Sequence, residues 1–435
     1  MNSIKPDSEP RSTGKAQTQM DAPRPNLEGA SNQEVSVRIA TSAQAVEQLR
    51  AVWQGWTRGL YTDIDYFLQA LRVDETILRP YVISVWRGDA PLAILAGQVK
   101  SRQAFSIVSM VRIKGPRARV LEVSTKARLG PPSPEADEIF ISQLCKALRE
   151  GGVDLVSFQR LSLESQLFRS LGELPGLMRT RVPHVFSYSI LSLTSVAGKR
   201  PPVFSGKIMR EARRKTSNLE RAFPGQVRLR CFSNIHEFDD GLRDAVRVKV
   251  ATWQHLLDVG FADTLPTPGR FRFFAQKGWL RIFVLYVAER PCAFLIGHRY
   301  GKVFYCQHAG FDTDYEKLSV GSVLTTWAFE SLATSGVESV DLGEGGQEHN
   351  RRLGCERIDE GTVHVYAPTV RGLNLALFFG AAQISRSMGR AVRSGLHLNW
   401  AAKIWREFLT ERRSKTRSPV SNSNRRLHNS LQRTS

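Results

Sequence analysis

Cysteine is scarce in this 435-residue sequence, and the five that occur are not arranged for cross-linking or metal binding. Their number is odd, no two form a Cys-x-x-Cys pair, and the nine histidines also lack the spacing of zinc ligands. A disulfide scaffold is therefore excluded, no metal site is expected, and a reducing compartment fits best. The cysteines are Cys145, Cys231, Cys292, Cys306 and Cys355.

Long apolar runs are missing as well. Spanning a bilayer takes about 18 or more consecutive apolar residues, and the strongest candidate, residues 373–384, is too short. Residues 1–34 contain no apolar core of a signal peptide. We expect a cytoplasmic protein in which residues 1–34 and the Ser/Arg/Asn-rich residues 414–435 are disordered.

Acidic residues are outnumbered, 41 against 61 lysines and arginines, which leaves a net charge of +20. Two segments hold nearly all of it, because residues 199–230 carry +8 and residues 371–435 carry +11. Such charge suggests nucleic acid, an anionic membrane or a phosphate-rich cofactor. A general nucleic-acid surface would spread its basic residues and interleave them with aromatic ones, which this sequence does not do.

Each basic segment admits two interpretations. The first contains a helix-like run from Lys207 to Lys215, which is either a solvated helix face or a phosphate contact. The second begins apolar and turns basic around Arg386, so residues 370–413 are predicted to form an amphipathic helix. That helix either packs on the protein or lies on a membrane.

Between its ends the chain repeats itself at a constant offset of 200 residues. Pro91, Ala93, Leu95 and Gly97 recur as Pro291, Ala293, Leu295 and Gly297. Each set follows an apolar run and a short turn, which is typical of a β-hairpin. Both copies continue with a strand, a long helix that ends at glycine, and a buried strand. The sequence therefore predicts a mixed α/β protein with two related halves, residues 35–198 and 199–369.

The loops that open the two long helices differ. A helix N-terminus offers free N–H groups and a partial positive charge, so it attracts phosphate. In the first copy Glu135, Asp137 and Glu138 already occupy that end. The second copy has no acid after Glu316, and residues 317–322 read Lys-Leu-Ser-Val-Gly-Ser. Either Ser319 is an ordinary N-cap, or this loop holds a phosphate group.

A glycine-rich segment follows the last buried strand of the second copy, at residues 340–352. In parallel α/β sheets, ligands lie at the carboxyl ends of the strands. Asp341, Glu344 and His349 are therefore candidate acid/base groups. A structural role is the alternative: Asp341 orders the turn, and Glu344 is solvated.

These elements, taken in order, carry a family likeness. After the basic helix come Trp253, Gly310-Phe311-Asp312, Lys317-x-Ser319-x-Gly321, Gly336 and Asp341-x-Gly343-x-Gly345. The set resembles the GNAT superfamily, and more narrowly the acetyltransferase-like domain of CelD/BcsL-type proteins, which is related to the FemAB peptidoglycan transferases. The likeness covers about residues 207–365, and residues 35–193 resemble the degenerate GNAT half that such proteins carry. Where relatives show an aromatic–Lys pair, this sequence has His349 and Asn350.

The resemblance implies a GNAT-type acyltransferase (EC 2.3.1 class) that moves an acyl group from acyl-CoA, here acetyl-CoA, to an amine. The amine attacks the thioester directly, so no covalent enzyme intermediate is needed. The implied donor site comprises Lys317, Ser319, Gly321, Ser322 and the strand residue His308. The implied base is Asp341, Glu344 or His349, and the implied acceptor site comprises Trp253, Arg214 and Gly345.

Further expectations concern partners. The acceptor is expected to be a small-molecule or glycan-precursor amine in bacterial polysaccharide or envelope metabolism. The C-terminal helix is expected to associate peripherally with the inner membrane face or with a synthase. Two alternatives stay open: a FemAB-like aminoacyltransferase that uses charged tRNA, which the basic segments favour, and a non-catalytic GNAT-fold interaction module.

Overall fold

The computed structural model describes residues 34–108, 111–176, 178–180, 184–194, 206–252, 267–344 and 347–395. The first half comprises β1 (Val35–Ala40), α1 (Ala43–Glu47), α2 (Arg50–Trp56), α3 (Ile64–Val73), β2 (Ile77–Arg87), β3 (Ala90–Val108), β4 (Val111–Leu129), α4 (Pro134–Arg149), β5 (Leu155–Ser162), α5 (Gln166–Gly172) and β6 (His184–Ser192). The second comprises α6 (Gly206–Ala222), β7 (Val227–Phe232), α7 (Phe238–Val250), α8 (Thr267–Gln276), β8 (Leu280–Val287), β9 (Arg290–Tyr300), β10 (Val303–Phe311), α9 (Val320–Thr334), β11 (Ser339–Glu344), α10 (Gln347–Arg352), β12 (Glu356–Tyr366) and α11 (Val370–Gly395).

The strands form one mixed sheet in the order β1-β2-β3-β4-β5-β12-β6-β11-β10-β9-β8-β7. The sheet has the same arrangement when it is followed inward from either end. Strands β1 to β4 and strands β7 to β10 are antiparallel series, and each series ends in a parallel pair, β4 with β5 and β10 with β11. Gly97 and Gly297, which the repeat aligns, both stand beside an irregularity in the neighbouring strand. The predicted α/β fold with two related halves is confirmed.

The two halves exchange a strand at the centre of the sheet. β12, from the second half of the chain, pairs with β5 of the first half. β6, from the first half, pairs with β11 of the second half, and β6 and β12 pair with each other. Each half is therefore completed by a strand of the other. The predicted boundary between residues 198 and 199 divides the chain in sequence, but the sheet crosses it twice.

Helices cover both faces of the sheet and enclose separate apolar cores. In the second half, Phe304 and Val340 face the core under α6 and α9, whereas Tyr305 faces the core under α7 and α8. Leu60, which lies in a short turn of the first half, is buried in that second core. The Tyr300 hydroxyl also donates to the Asp63 carboxylate of the first half at 2.7 Å. The cores therefore join the halves as firmly as the sheet does.

The helix α11 packs by one face against β3, β4 and β12 and leaves apolar residues exposed on the other. Leu375 is buried against Tyr366 and Leu155, and the Phe379 ring lies 4.8 Å from that of His364. The predicted amphipathic helix thus occurs over residues 370–395, and the remainder of the predicted range, 396–413, lies outside the described residues. Among the described helices, none is long and apolar enough to cross a membrane.

A buried ion pair joins the exchanged strands. Arg160 on β5 adopts a left-handed backbone conformation (φ 52°), and its Nε donates to Glu360 Oε2 on β12 at 2.9 Å. The same guanidinium stacks over the Tyr188 ring of β6 at 4.3 Å. Glu360 is only 4% exposed. Because the carboxylate is desolvated, Arg160 supplies the positive charge that compensates it.

Arg160→Met is expected to destabilise the protein by about 3–5 kcal/mol, since it leaves the Glu360 charge buried without compensation. Urea unfolding followed by circular dichroism measures the loss. The double variant Arg160→Met/Glu360→Leu removes both charges and is expected to recover most of it. If Arg160→Met lowers the free energy of unfolding no more than the double variant does, the Arg160–Glu360 ion pair does not stabilise the contact between the strands.

A second expectation concerns His298 on β9, which is 1% exposed and lies 4.0 Å, ring to ring, from Phe274. Its Nδ1 is buried without a hydrogen-bond partner among the described residues. Burial, together with the Arg270 and His308 charges, lowers the pKa of His298 from 6.5 to about 3. The folded protein therefore excludes a proton that the unfolded chain accepts below pH 6.5, so stability falls as the pH decreases.

Between pH 7 and pH 5 this one group is expected to remove about 2 kcal/mol from the free energy of unfolding. Over the same interval, the free energy of unfolding of His298→Gln is expected to decrease by about 2 kcal/mol less than that of the wild type. Urea unfolding at both pH values measures the difference. His236→Gln, at an exposed site, is the control and is expected to behave as the wild type. An identical pH dependence in the wild type and in His298→Gln would contradict the assignment.

Candidate functional site

An opening lies between β10 and β11. The two parallel strands pair only over Val303–Tyr305 and residues 339–341, and both then continue apart. On its other edge β10 stays bonded to β9, with one extra residue between Cys306 and His308. The backbone edge of β10 after Tyr305 is therefore not paired with β11. Such an edge can hydrogen-bond an extended ligand.

The helix α9 begins beside this opening, and its first turn is not capped by a side chain. Ser319 adopts a left-handed conformation (φ 56°) and makes no capping hydrogen bond, so the N-cap interpretation is wrong in its usual form. The first N–H groups of a helix have no partner within it. A Cβ at Gly321 would lie 3.1 Å from the Phe311 ring, so glycine is needed where the helix meets the strand.

Lys215, the last residue of the basic run 207–215, stands at this helix start. Lys215 on α6 donates from Nζ to Ser322 Oγ at 3.3 Å and pairs with Glu211 at 2.9 Å. A cation at the positive end of a helix is unfavourable by itself. The combination of free N–H groups, a hydroxyl and an ammonium group therefore suits an anion, and above all a phosphate.

The equivalent helix start in the first half is closed by the protein itself. Ser133 caps α4 by accepting from the N–H of Ala136 at 3.2 Å. Arg128 pairs with the buried Asp137 at 3.0 Å and donates to the Gly130 carbonyl at 2.7 Å. Arg128 pairs in the sheet with Leu95, and the residue that pairs with Leu295 in the second half is Ala309. The second half therefore lacks the side chain that fills the first.

The predicted acid/base residues lie at the end of β11. Asp341 is 8% exposed and accepts from the Gly343 N–H at 2.9 Å, so it does order the turn, as the structural alternative held. Glu344 is exposed, and His349 lies on α10. Gly345 lies outside the described residues, so no contact is stated for it.

The remaining predicted residues are spread around the opening. Lys317 lies on an exposed turn before α9, and Arg214 is exposed on α6. Trp253 falls outside the described residues. His308 is half-buried on β10, and burial together with the Arg270 and Lys249 charges lowers its pKa to about 4. A neutral imidazole with so low a pKa is a weak base.

A polar cluster that the sequence did not indicate surrounds Asp341. In the sheet Asp341 lies opposite Tyr305, whose ring meets that of Tyr61 from the first half at 5.3 Å between centroids. Burial raises the pKa of Tyr61, and the charges of Tyr66 and Asp341 add to the rise. Burial and the Glu360 carboxylate likewise raise the pKa of Tyr188. These hydroxyls are neutral donors, held around the carboxylate by residues of both halves.

Burial raises the pKa of every cysteine thiol, to about 11 for Cys231 and Cys355. The highest are those of Cys292 and Cys306, at about 12. The thiolate is the reactive form of cysteine, so these groups are poor nucleophiles. Within the described ranges, no cluster of three or more His, Cys, Asp or Glu residues could hold a metal ion.

Residues 206–351 match the family model of the acetyltransferase (GNAT) domain. No curated protein matches the chain. Similar solved structures include the C-terminal domain of a putative lysylphosphatidylglycerol synthetase from Agrobacterium fabrum (14% identity, 66% of this chain, 84% of that chain, TM-score 0.43). Another is a tandem GNAT protein from the clavulanic acid biosynthesis pathway (11% identity, 77% of this chain, 99% of that chain, TM-score 0.45). A third is FemX (8% identity, 70% of this chain, 90% of that chain, TM-score 0.47).

The matched segment begins at α6 and includes the opening between β10 and β11, the uncapped start of α9 and the Asp341 turn. The same elements carry the resemblance of the sequence to the GNAT superfamily. The second half of the chain therefore carries a domain of the acetyltransferase (GNAT) family.

Proposed function

We propose that the protein is an N-acyltransferase that moves an acyl group from acyl-CoA, with acetyl-CoA as the donor, to an amine. The observation that carries this proposal is the difference between the two halves at their helix starts. Arg128 and Ser133 fill the first, whereas the second keeps its free N–H groups beside Lys215. The pyrophosphate of CoA is the kind of group that such a start holds.

In the proposed reaction, the amine nitrogen attacks the thioester carbonyl in the opening between β10 and β11. The carbon–nitrogen bond forms, the carbon–sulfur bond breaks, and the CoA thiolate leaves and takes up a proton. The amine proton passes to a base, for which Asp341 is the best-placed candidate because it is buried beside the opening. Neutral hydroxyls such as those of Tyr61 and Tyr305 would donate to the developing negative charge.

Glu344 and His349 remain the other proposed bases, with Lys317, Ser319, Gly321, Ser322 and His308 at the donor and Trp253, Arg214 and Gly345 at the acceptor. The resemblance to CelD/BcsL-type proteins supports an acceptor from bacterial polysaccharide or envelope metabolism and a cytoplasmic reaction. The inert thiols agree with direct attack on the thioester, because no cysteine is activated for a covalent intermediate.

Acetyl-CoA is expected to raise the melting temperature of the full chain, because a ligand that binds only the folded state stabilises it. Lys215→Met is expected to weaken acetyl-CoA binding about tenfold through loss of a charge-assisted hydrogen bond. Calorimetric titration measures the affinity. Binding of S-acetylpantetheine, which has no pyrophosphate, is expected to be the same in both proteins.

The matched control is Arg213→Met, because residues 213 and 215 point to roughly opposite sides of α6 and Arg213 is exposed. The proposal fails if no acyl-CoA binds and no thiol is released with amine acceptors. Tight, salt-sensitive binding of charged tRNA without CoA affinity would favour the aminoacyltransferase alternative instead.

We also propose that α11 associates with an anionic membrane surface. Its outer face carries a stripe of exposed apolar residues, Val370 (77% exposed), Leu373 (56%), Leu377 (63%) and Ile384 (63%). Residues 371–435 add a net charge of +11. An apolar helix face together with basic residues is the combination that binds anionic lipid headgroups.

The full chain is expected to sediment with phosphatidylglycerol-containing vesicles and to be released by high salt. Leu377→Ser is expected to weaken vesicle binding about tenfold, since one buried leucine contributes about 1.5–3 kcal/mol. Leu78→Ser, at an equally exposed site on β2 (56%), is the control and is expected to bind as the wild type. Equal losses in both variants, or no binding to any vesicle, would remove this proposal.

A further inference from the structure

A polar cavity of about 390 Å³ lies where the two halves meet. The first half supplies a wall of β3, β4 and β5, including Gln98, Lys100 and Gln159, and the second half supplies Arg270 and Phe274 from α8. Its volume is within the range of small-molecule sites, which are about 300–1,000 Å³. The cavity is distinct from the helix start proposed for the donor, since none of its lining residues belongs to α6 or α9.

The cavity is lined by three basic side chains but only two carboxylates among the described residues. Lys100 Nζ lies 2.9 Å from Glu122 and 3.4 Å from Asp74, and Arg102 lies 2.7 Å from the same Glu122. Arg270 is half-buried, and no carboxylate or hydrogen-bond acceptor of the described residues pairs with it. One positive charge therefore faces the cavity without a partner. A partly desolvated guanidinium is costly unless an anion pairs with it.

The groups that face Arg270 from neighbouring elements do not supply that anion. Burial, followed by the Arg270 charge, lowers the pKa of His298 and of His308, so both imidazoles are neutral at physiological pH. Burial raises the pKa of Tyr66, which is also neutral. The cavity's two carboxylates, Asp74 and Glu122, are already paired with Lys100 and Arg102, and no further carboxylate of the described residues lines it.

A second polar side chain, Gln98, lines the cavity wall. Gln98 is 4% exposed, and its carboxamide makes no hydrogen bond to the described residues. Buried carboxamides are normally hydrogen-bonded. Together, Arg270 and Gln98 offer a cation and an amide to whatever occupies the space.

The internal repeat shows that this polarity belongs to one half. At the offset of 200, Gln98 corresponds to His298 and Lys100 to Tyr300. Glu122, which pairs with Gln98, corresponds to Tyr305, which pairs with His298. The second half fills this face with aromatic side chains, whereas the first half leaves a polar cavity there. The charged side chains of this wall of the cavity therefore belong to the first half and have no charged counterpart at 300 and 305 in the second.

The cavity borders the proposed reaction centre through one side chain. Tyr61 lines the cavity, and its ring packs edge-on against Tyr305, at 5.3 Å between centroids. Tyr305 in turn lies opposite Asp341 at the mouth of the opening between β10 and β11. The Tyr61–Tyr305 contact therefore connects the cavity wall to the proposed reaction centre.

We propose that this cavity binds the acceptor, and that the acceptor is a small amine carrying a carboxylate or phosphate group that pairs with Arg270 and hydrogen-bonds Gln98. The first half is then the acceptor-binding half, and the second half is the donor-binding half. This assignment rests on the proposed acyl transfer, but acceptor binding can be measured without any acyl donor.

Three amino sugars that differ at one position test the proposal. Glucosamine 6-phosphate carries a phosphate, glucosaminuronic acid carries a carboxylate, and glucosamine carries neither. Calorimetric titration of the full chain is expected to give at least tenfold tighter binding of one charged sugar than of glucosamine. The better of the two charged sugars identifies the oxyanion.

The matched variants are Arg270→Gln and Arg272→Gln on the same helix. Arg272 pairs with Asp239 at 2.7 Å and is not among the residues that line the cavity. Arg270→Gln is expected to reduce binding of the charged sugar about tenfold and to leave glucosamine binding unchanged, whereas Arg272→Gln changes neither. Because Arg270 has no partner among the described residues, its variant is also expected to melt no lower than the wild type.

Equal affinity of the wild type for charged and neutral sugars would overturn the proposal, as would equal effects of the two variants or the absence of binding by all three sugars. A donor that binds while none of the sugars does would refute the acceptor site alone. Charged sugars that bind through Arg270 in a protein without CoA affinity would instead refute the proposed donor.

Discussion

The exchange of β6 and β12 is the constraint on which the rest of the molecule depends. Because each of these strands completes the sheet of the other half, the two halves form one sheet with their openings on either side of its centre. The Arg160–Glu360 ion pair and the Tyr188 ring fasten this centre. The same arrangement brings Tyr61 to Tyr305 and Arg270 to the first half's cavity, so both candidate sites are built from both halves.

The two copies of the repeat differ at the positions that form the candidate sites. One change, an arginine at 128 against an alanine at 309, closes one helix start and leaves the other open. Another set of changes, Gln98 and Lys100 against His298 and Tyr300, opens a polar cavity in the first half and fills its counterpart with aromatic side chains. The fold is kept in both copies, while the side chains at the helix start and on this face of the sheet differ between them.

Much of this fold could be predicted from the sequence, because the repeat is local in each half. Hairpins, long helices and buried strands leave patterns within about 20 residues, and the aligned glycines at 97 and 297 fixed the correspondence. The strand exchange could not be predicted, because the pairing of β5 with β12 joins residues about 200 apart and leaves no local pattern. Tyr61, Arg160 and Arg270 were missed as site residues for the same reason, whereas Lys215 was indicated only as part of the basic run 207–215. Of the two alternatives for Ser319, the N-cap is wrong, because its backbone is left-handed and its side chain makes no capping hydrogen bond.

The outermost strands, β1 and β7, are the only edges that this sheet exposes among its described strands. Both are six residues long, and each bears arginines that stack on aromatic rings of the neighbouring strand or its own: Arg38 over Trp86, and Arg228 over Tyr286. A free edge normally invites another strand to pair with it. Here both edge strands are short, and an arginine on each lies over an aromatic ring, so each edge offers only a few backbone groups to another strand.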